Sequence, residues 1–95
     1  MRDDERDIEQ ALKRAVEQRG GICWKFTSPG TAGVPDRIAL MPGGRIAFIE
    51  VKAPGKRPRP LQRAIHEKLR ALGLIVITID NKNQIPGALH AVQTS

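Results

Sequence analysis

A lone cysteine, Cys23, rules out any intrachain disulfide in these 95 residues and suits a reducing cytoplasm. Apolar runs are short as well, and none approaches the roughly 20 residues needed to cross a bilayer. The N-terminus, Met1 to Asp7, is dense in charge and lacks the apolar core of a secretory signal. These absences predict a cytoplasmic protein with no membrane association. No internal repeat and no low-complexity linker divides the sequence, so residues 1–95 read as a single domain. Its core must be modest at this size, and dimerisation would help it. Acids are the minority charge: ten Asp and Glu stand against sixteen Lys and Arg, for a net charge of +6. With a pI near 10.3, the balance favours a polyanionic partner, because phosphate neutralisation supplies most non-specific nucleic-acid affinity. A basic but otherwise ordinary soluble protein is the plainer reading of charge alone.

The informative stretch is 35–52. Pro35-Asp36-Arg37-Ile38-Ala39-Leu40-Met41 and Arg45-Ile46-Ala47-Phe48-Ile49-Glu50-Val51-Lys52 flank the breaker Pro42-Gly43-Gly44. Two apolar runs around such a breaker predict antiparallel strands joined by a short loop. Alternation places Ile46, Phe48, Glu50 and Lys52 on one face of the second strand, and Ala47, Ile49 and Val51 on the other. Apart from Glu50 and Lys52, this strand reads as fully buried. Burying charge is costly unless it is paired or holds a metal. Hairpin pairing returns Asp36 to the end of the second strand, so an Asp, a Glu and a Lys are expected to converge there. Two close carboxylates repel unless a proton or cation sits between them. A hard divalent ion such as Mg²⁺ takes one or two carboxylates with waters and phosphate oxygens. Lys52 is placed to steer a water or to neutralise charge on a phosphoryl group. The pattern points to metal-assisted phosphodiester hydrolysis. The alternative is a salt bridge, Glu50 with Lys52 or Asp36 with Arg37, on an exposed strand end.

Upstream, Asp3 or Asp4 caps a predicted helix whose apolar residues Ile8, Ala11, Leu12, Ala15 and Val16 share a face, and Gly20-Gly21 ends it. Glu5 falls inside that stripe and Glu9 just beyond its edge. Glu5 either favours the helix dipole, faces a site, or lies in water on a frayed turn. Residues 22–26 are rich in β-formers and predict a short strand. Cys23 reads as a buried small hydrophobe. Core packing is the expectation for Trp24 and Phe26, with base stacking as an alternative for Trp24. Lys25, on the opposite face, and Ser28, in the loop that leads to Asp36, are candidate phosphate contacts.

Beyond Lys52, residues 53–60 hold three prolines and three bases. Lys56, Arg57 and Arg59, with Arg63 just after, are placed to grip a nucleic-acid backbone without reading its sequence. A solvated loop is the plainer alternative. Pro60 suits a helix start, with Leu61, Ile65, Leu69 and Leu72 as its apolar face and Gly73 at its end. Gln62 and His66 are neighbours one turn apart. His66 is expected on the surface or behind the site rather than as an acid or base. Residues 74–79 predict a buried strand, reached through a helical crossover and therefore parallel to its neighbour. A polar loop at 80–84 and a short helix at 85–92 complete the chain.

Pro35-Asp36 followed by Glu50-Val51-Lys52 resembles the PD-(D/E)XK nuclease superfamily. The wider context is Gly33-Val34-Pro35-Asp36-Arg37, Ile49-Glu50-Val51-Lys52-Ala53 and Pro60-Leu61-Gln62. It resembles the VRR-NUC branch, whose small stand-alone members occur in phages and bacteria. The resemblance runs from about Glu5 to about Asp80. It implies an α/β, restriction-endonuclease-like αβββαβ core, a mixed four-stranded sheet flanked by helices. It further implies a Mg²⁺- or Mn²⁺-dependent DNA endonuclease in a bacterial or phage-infected cell. Such an enzyme is structure-specific on branched DNA such as Holliday junctions or flaps, and works as a homodimer with two sites facing two strands. On this resemblance Asp36, Glu50 and the main-chain carbonyl of Val51 bind metal, and Glu5 assists directly or through water, with Glu9 in reserve. Lys52 positions or activates the water, and Gln62 helps to orient it. A fold does not guarantee a chemistry. Two other classes compete: a non-catalytic DNA-binding module, and a small subunit that serves a protein partner.

Overall fold

The computed structural model describes residues 4–95. Its elements are α1 (Glu5–Gln18), β1 (Ile22–Lys25), β2 (Arg37–Met41), β3 (Arg45–Val51), α2 (Pro60–Ala71), β4 (Ile75–Ile79) and α3 (Ile85–Gln93), with a 3₁₀ turn at Lys82–Gln84. The expected αβββαβ order is present, followed by the short last helix. Among the described residues no helix is long and apolar enough to cross a membrane.

Helix α1 begins at a capping box, in which Asp4 accepts the Asp7 N–H at 2.9 Å and Asp7 accepts the Asp4 N–H at 3.4 Å. The alternative cap, Asp3, lies outside the described residues. The helix ends in a Schellman turn, with Gly20 N–H bonded to Glu17 and Gly21 N–H to Val16. Gly20 takes φ +83°, which costs glycine nothing and any other residue strain. Ile8, Leu12 and Val16 are buried along one face, as their spacing predicts.

The sheet runs in the order β1-β2-β3-β4, antiparallel twice and then parallel between β3 and β4. One face carries Cys23, Ala39, Met41, Ala47, Ile49, Val51 and Ile79 and is sealed by α1 and by Ile85, Leu89 and Val92 of α3. This is the core. Each of its larger aliphatic side chains contributes about 1.5–3 kcal/mol by leaving water. Burial also raises the thiol pKa of Cys23, which behaves as the small hydrophobe expected.

The second face departs from expectation. Helix α2 packs on β4, and the far part of this face is left open. Ile46 is exposed, so β3 is not fully buried at its start. Trp24, expected in the core, is 58% exposed, whereas Phe26 packs on Phe48 with ring centroids 5.3 Å apart. Strand β4 is half-buried rather than buried throughout, with Val76 and Ile79 sealed and Leu74 outside it and exposed. In α2 Leu61 is exposed, Ile65 and Leu69 are half-buried, and the buried residue is His66, while Leu72, the C-cap, is exposed. The most buried side chain that the helix offers is thus a polar one, with Ile65 and Leu69 half-buried beside it.

Candidate active site

The hairpin register sets the geometry. Arg37 pairs with Ile49 across the antiparallel β2–β3 ladder, so the next residue outward, Asp36, stands opposite Glu50. Strand alternation then puts Asp36 and Glu50 on the same face. The Asp36 carbonyl accepts the Phe26 N–H at 2.9 Å, and its carboxylate accepts the Val51 N–H at 3.1 Å. Lys52 lies just past β3, held by its own N–H to the Ile79 carbonyl at 2.9 Å.

Glu50 is only 2% exposed. Its Oε2 receives Lys52 Nζ at 3.0 Å and Gln62 Nε2 at 3.3 Å. Its Oε1 is buried without a hydrogen bond, and His66 Nε2, equally sealed and equally unpartnered, lies 3.8 Å away. Gln62 is fixed from its other end. As the third residue of α2 its Oε1 accepts the Arg59 N–H at 2.8 Å, so the NH₂ is the end that faces Glu50. Three of the four residues expected to carry catalysis, Glu50, Lys52 and Gln62, are thus directly bonded, and Asp36 is beside them. The Glu50–Lys52 pair is a salt bridge, as the plainer reading had it, but a buried one.

Asp36 is raised from 3.8 to about 7, first by burial and then by the Glu50 carboxylate, against the opposing Val51 hydrogen bond. Glu9 and, more weakly, Glu5 push the same way. His66 is lowered, chiefly by burial, with Glu50 opposing and Arg70 and Lys52 reinforcing. Its imidazole is therefore neutral near pH 7. The 3.8 Å approach is neither an ion pair nor a hydrogen bond.

Among the described residues no three His, Cys, Asp or Glu side chains are grouped to hold a metal. The α1 carboxylates explain part of this. Glu5 is exposed in the first turn, beyond the stripe its angular position suggested, while half-buried Glu9 lies 3.6 Å from the Arg37 guanidinium. The donor set nonetheless suits a cation: an aspartate whose proton affinity is raised by burial and by the Glu50 charge beside it, and a buried carboxylate oxygen with nothing bonded to it.

The candidate phosphate contacts flank this cluster. Lys56, Arg57, Arg59 and Arg63 are exposed on the loop and first turn that join Lys52 to Gln62. The loop turns through Lys56 N–H to Ala53 at 2.9 Å and is tied to the residue just past β4 by Gly55 N–H to Asp80 Oδ2 at 3.2 Å. Lys25 is exposed at the end of β1, and Ser28 is half-buried in a turn closed by the Thr31 N–H. Gly33 seats this second loop on α2. At φ +89°, a Cβ there would lie 3.1 Å from both the Leu61 carbonyl and Ile65 Cγ1. His66 takes the second of the two places expected for it, behind the site and not on the surface. The available signal was its position one turn from Gln62, which carries both residues to the same end of the sheet.

No family model matches the chain. A protein of Acyrthosiphon pisum secondary endosymbiont phage 1, "Putative nuclease p44", is 48% identical over 79 residues, which span 83% of this chain and 85% of the phage protein. A solved structure described as "VRR_NUC domain" superposes with a TM-score of 0.85 at 29% identity, over 90% of this chain and 94% of that one. The chain belongs to the VRR-NUC nuclease family. The four-stranded mixed sheet is the VRR-NUC fold.

Proposed function

We propose that this VRR-NUC chain is a divalent-metal-dependent DNA endonuclease that hydrolyses phosphodiester bonds in a bacterial or phage-infected cell. One observation carries the reading. A buried glutamate presents one oxygen to Lys52 and Gln62 and leaves the other unbonded, next to an aspartate that burial and the glutamate's charge together raise to about 7. Asp36, Glu50 and the Val51 carbonyl would hold Mg²⁺ or Mn²⁺, with Glu5 assisting directly or through water. Two carboxylates completed by waters and phosphate oxygens are a usual Mg²⁺ set. A bound divalent ion supplies a lowered pKa for water and a partner for phosphoryl charge. The chain's own part is positional. Lys52, a cation at the mouth of the cluster, orients the attacking water and stabilises the anionic phosphoryl group as its charge grows. Gln62 holds Glu50 and Lys52 in register from a rigid helix end. Lys25, Ser28, Lys56, Arg57, Arg59 and Arg63 hold backbone phosphates, which fixes position without reading bases.

The preferred substrate of the proposal is branched DNA, a Holliday junction or flap, cut by a homodimer. The open apolar patch of Ile22, Trp24 and Ile46 supports a second copy. A second reading, a non-catalytic basic module, is favoured by the Glu50–Lys52 pair, which already satisfies half the carboxylate. The deciding experiment incubates the protein with duplex, single-stranded, flap and four-way-junction DNA in Mg²⁺, Mn²⁺ or EDTA, beside Asp36→Asn and Lys52→Ala. Metal-dependent cleavage by the wild type and none by either variant is the expected result. Binding that weakens with salt, without cleavage under any ion, would select the module instead. Light scattering at several concentrations tests the dimer.

A further inference from the structure

The most buried position of α2 is occupied by a histidine. A helix whose Leu61 is exposed, and whose Ile65 and Leu69 are only half-buried, while His66 is 1% exposed has been turned to bring a polar ring against the sheet. A leucine there would gain burial at no polar cost, so packing alone does not account for the ring. Its sealed nitrogen lies 3.8 Å from Glu50 Oε1, and both atoms lack a hydrogen bond. Both atoms are sealed from solvent, so bulk water does not satisfy either one. A shift of under about 1 Å in the Glu50 carboxylate closes a direct bond.

We propose that His66 is a positioning residue for Glu50, whose Nε2–H holds the carboxylate oxygen that Lys52 and Gln62 leave free. Gln62 and His66 stand one turn apart on α2, so a single rigid element sets the carboxylate from both of its oxygens. The functional consequence rests on the metal-binding reading above: Glu50 would meet an ion with its plane already fixed. Partners of this kind, behind a metal ligand, typically change metal affinity about 10–100-fold when removed.

The test compares wild type, His66→Leu and His66→Gln by two measurements. In metal-free protein, a long-range ¹⁵N–¹H spectrum reports which ring nitrogen of His66 carries the proton. Protonation at Nε2, with a signal that moves on Glu50→Gln, is expected. Protonation at Nδ1 alone would overturn the proposal whether or not the protein binds metal. The second measurement titrates Mn²⁺ by electron paramagnetic resonance without DNA, alongside thermal melting. His66→Leu should bind Mn²⁺ at least about tenfold more weakly while melting no lower than wild type. His66→Gln, whose amide can donate to the same oxygen, should recover most of the affinity. Wild-type affinity in His66→Leu would refute the positioning role. Failure of the wild type to bind Mn²⁺ would instead defeat the metal reading, and the ring spectrum would still decide the His66–Glu50 bond.

Discussion

Gln62 donates its amide to Glu50 Oε2 across 3.3 Å while its own oxygen accepts the Arg59 N–H at 2.8 Å. One side chain thus caps α2 and orders the buried acid. The two roles separate by substitution. Gln62→Glu keeps an acceptor for Arg59 but sets a second carboxylate against Glu50, and like charges there repel. Gln62→Ala loses both bonds, and the lost cap alone costs about 1 kcal/mol. A hydrogen bond to a charged group is worth about 1.5–3 kcal/mol, so both variants should cleave DNA at least about tenfold more slowly. Circular dichroism should find the helix of Gln62→Glu intact. Cleavage at the wild-type rate by Gln62→Glu would remove Gln62 from the site.

The loop before Asp36 depends on the absence of a side chain. Gly33 combines φ +89° with backbone of α2 at 3.1 Å from where a Cβ would sit. Gly33→Val therefore meets both backbone strain and a clash, and should destabilise the fold by about 1–3 kcal/mol in urea unfolding. The displaced element is the α2 turn that carries Gln62, so cleavage at a temperature where the variant is folded should fall as well. Gly30, whose added Cβ would meet open space, is the control, and Gly30→Ala should leave both measurements near wild type.

Periodicity exposed the hairpin, because two apolar runs around Pro42-Gly43-Gly44 admit one antiparallel pairing, and that pairing sets Asp36 against Glu50. It also exposed the α1 face, where Ile8, Leu12 and Val16 are all buried. What alternation cannot say is whether anything covers a face. Trp24 and Ile46 share a face with Phe48 by strand parity, yet α2 packs on β4 and leaves them in water. For the same reason Leu61 and Leu72 looked like core. Gln62 and His66 outcompete them for the sheet because a buried carboxylate must be satisfied. Glu5 and Glu9 illustrate a further limit: angular position on a helix does not fix exposure in the first turn, where Glu5 is exposed and Glu9, one turn on, is half-buried beside Arg37.

Electrostatic binding should localise to the loop between Lys52 and α2. Lys56, Arg57 and Arg59 are exposed there, so replacing one by alanine changes melting little. If each neutralises a phosphate, every substitution should lower the slope of log affinity against log salt by about one and weaken all DNA substrates alike. Asp80→Ala, which frees Gly55 from its 3.2 Å tether to the end of β4, should weaken binding without altering that slope, since no phosphate contact is deleted. Fluorescence anisotropy across a salt series, in EDTA, measures both. Unchanged slopes in all three charge variants would place the DNA elsewhere on the surface.

The strongest prediction concerns pH, because the site is costly to the fold when no cation is present. Asp36 is raised from 3.8 to about 7 by burial and by Glu50. Between those values the folded chain keeps a proton that the unfolded chain releases, so this residue makes metal-free stability fall as pH rises. Its contribution is fully present below 3.8 and lost by the time pH passes about 7. Asp36→Asn cannot ionise and escapes the loss. In EDTA the variant should therefore melt higher than wild type at pH 8, with the difference closing toward pH 4. Added Mn²⁺ should reverse the order at pH 8, raising the wild type and leaving Asp36→Asn unmoved, because only the wild type offers two carboxylates to the ion. The variant should cleave no DNA at any pH. A wild type that melts above Asp36→Asn at pH 8 in EDTA would mean that the two acids are held apart, and the case for a shared ion would go with it.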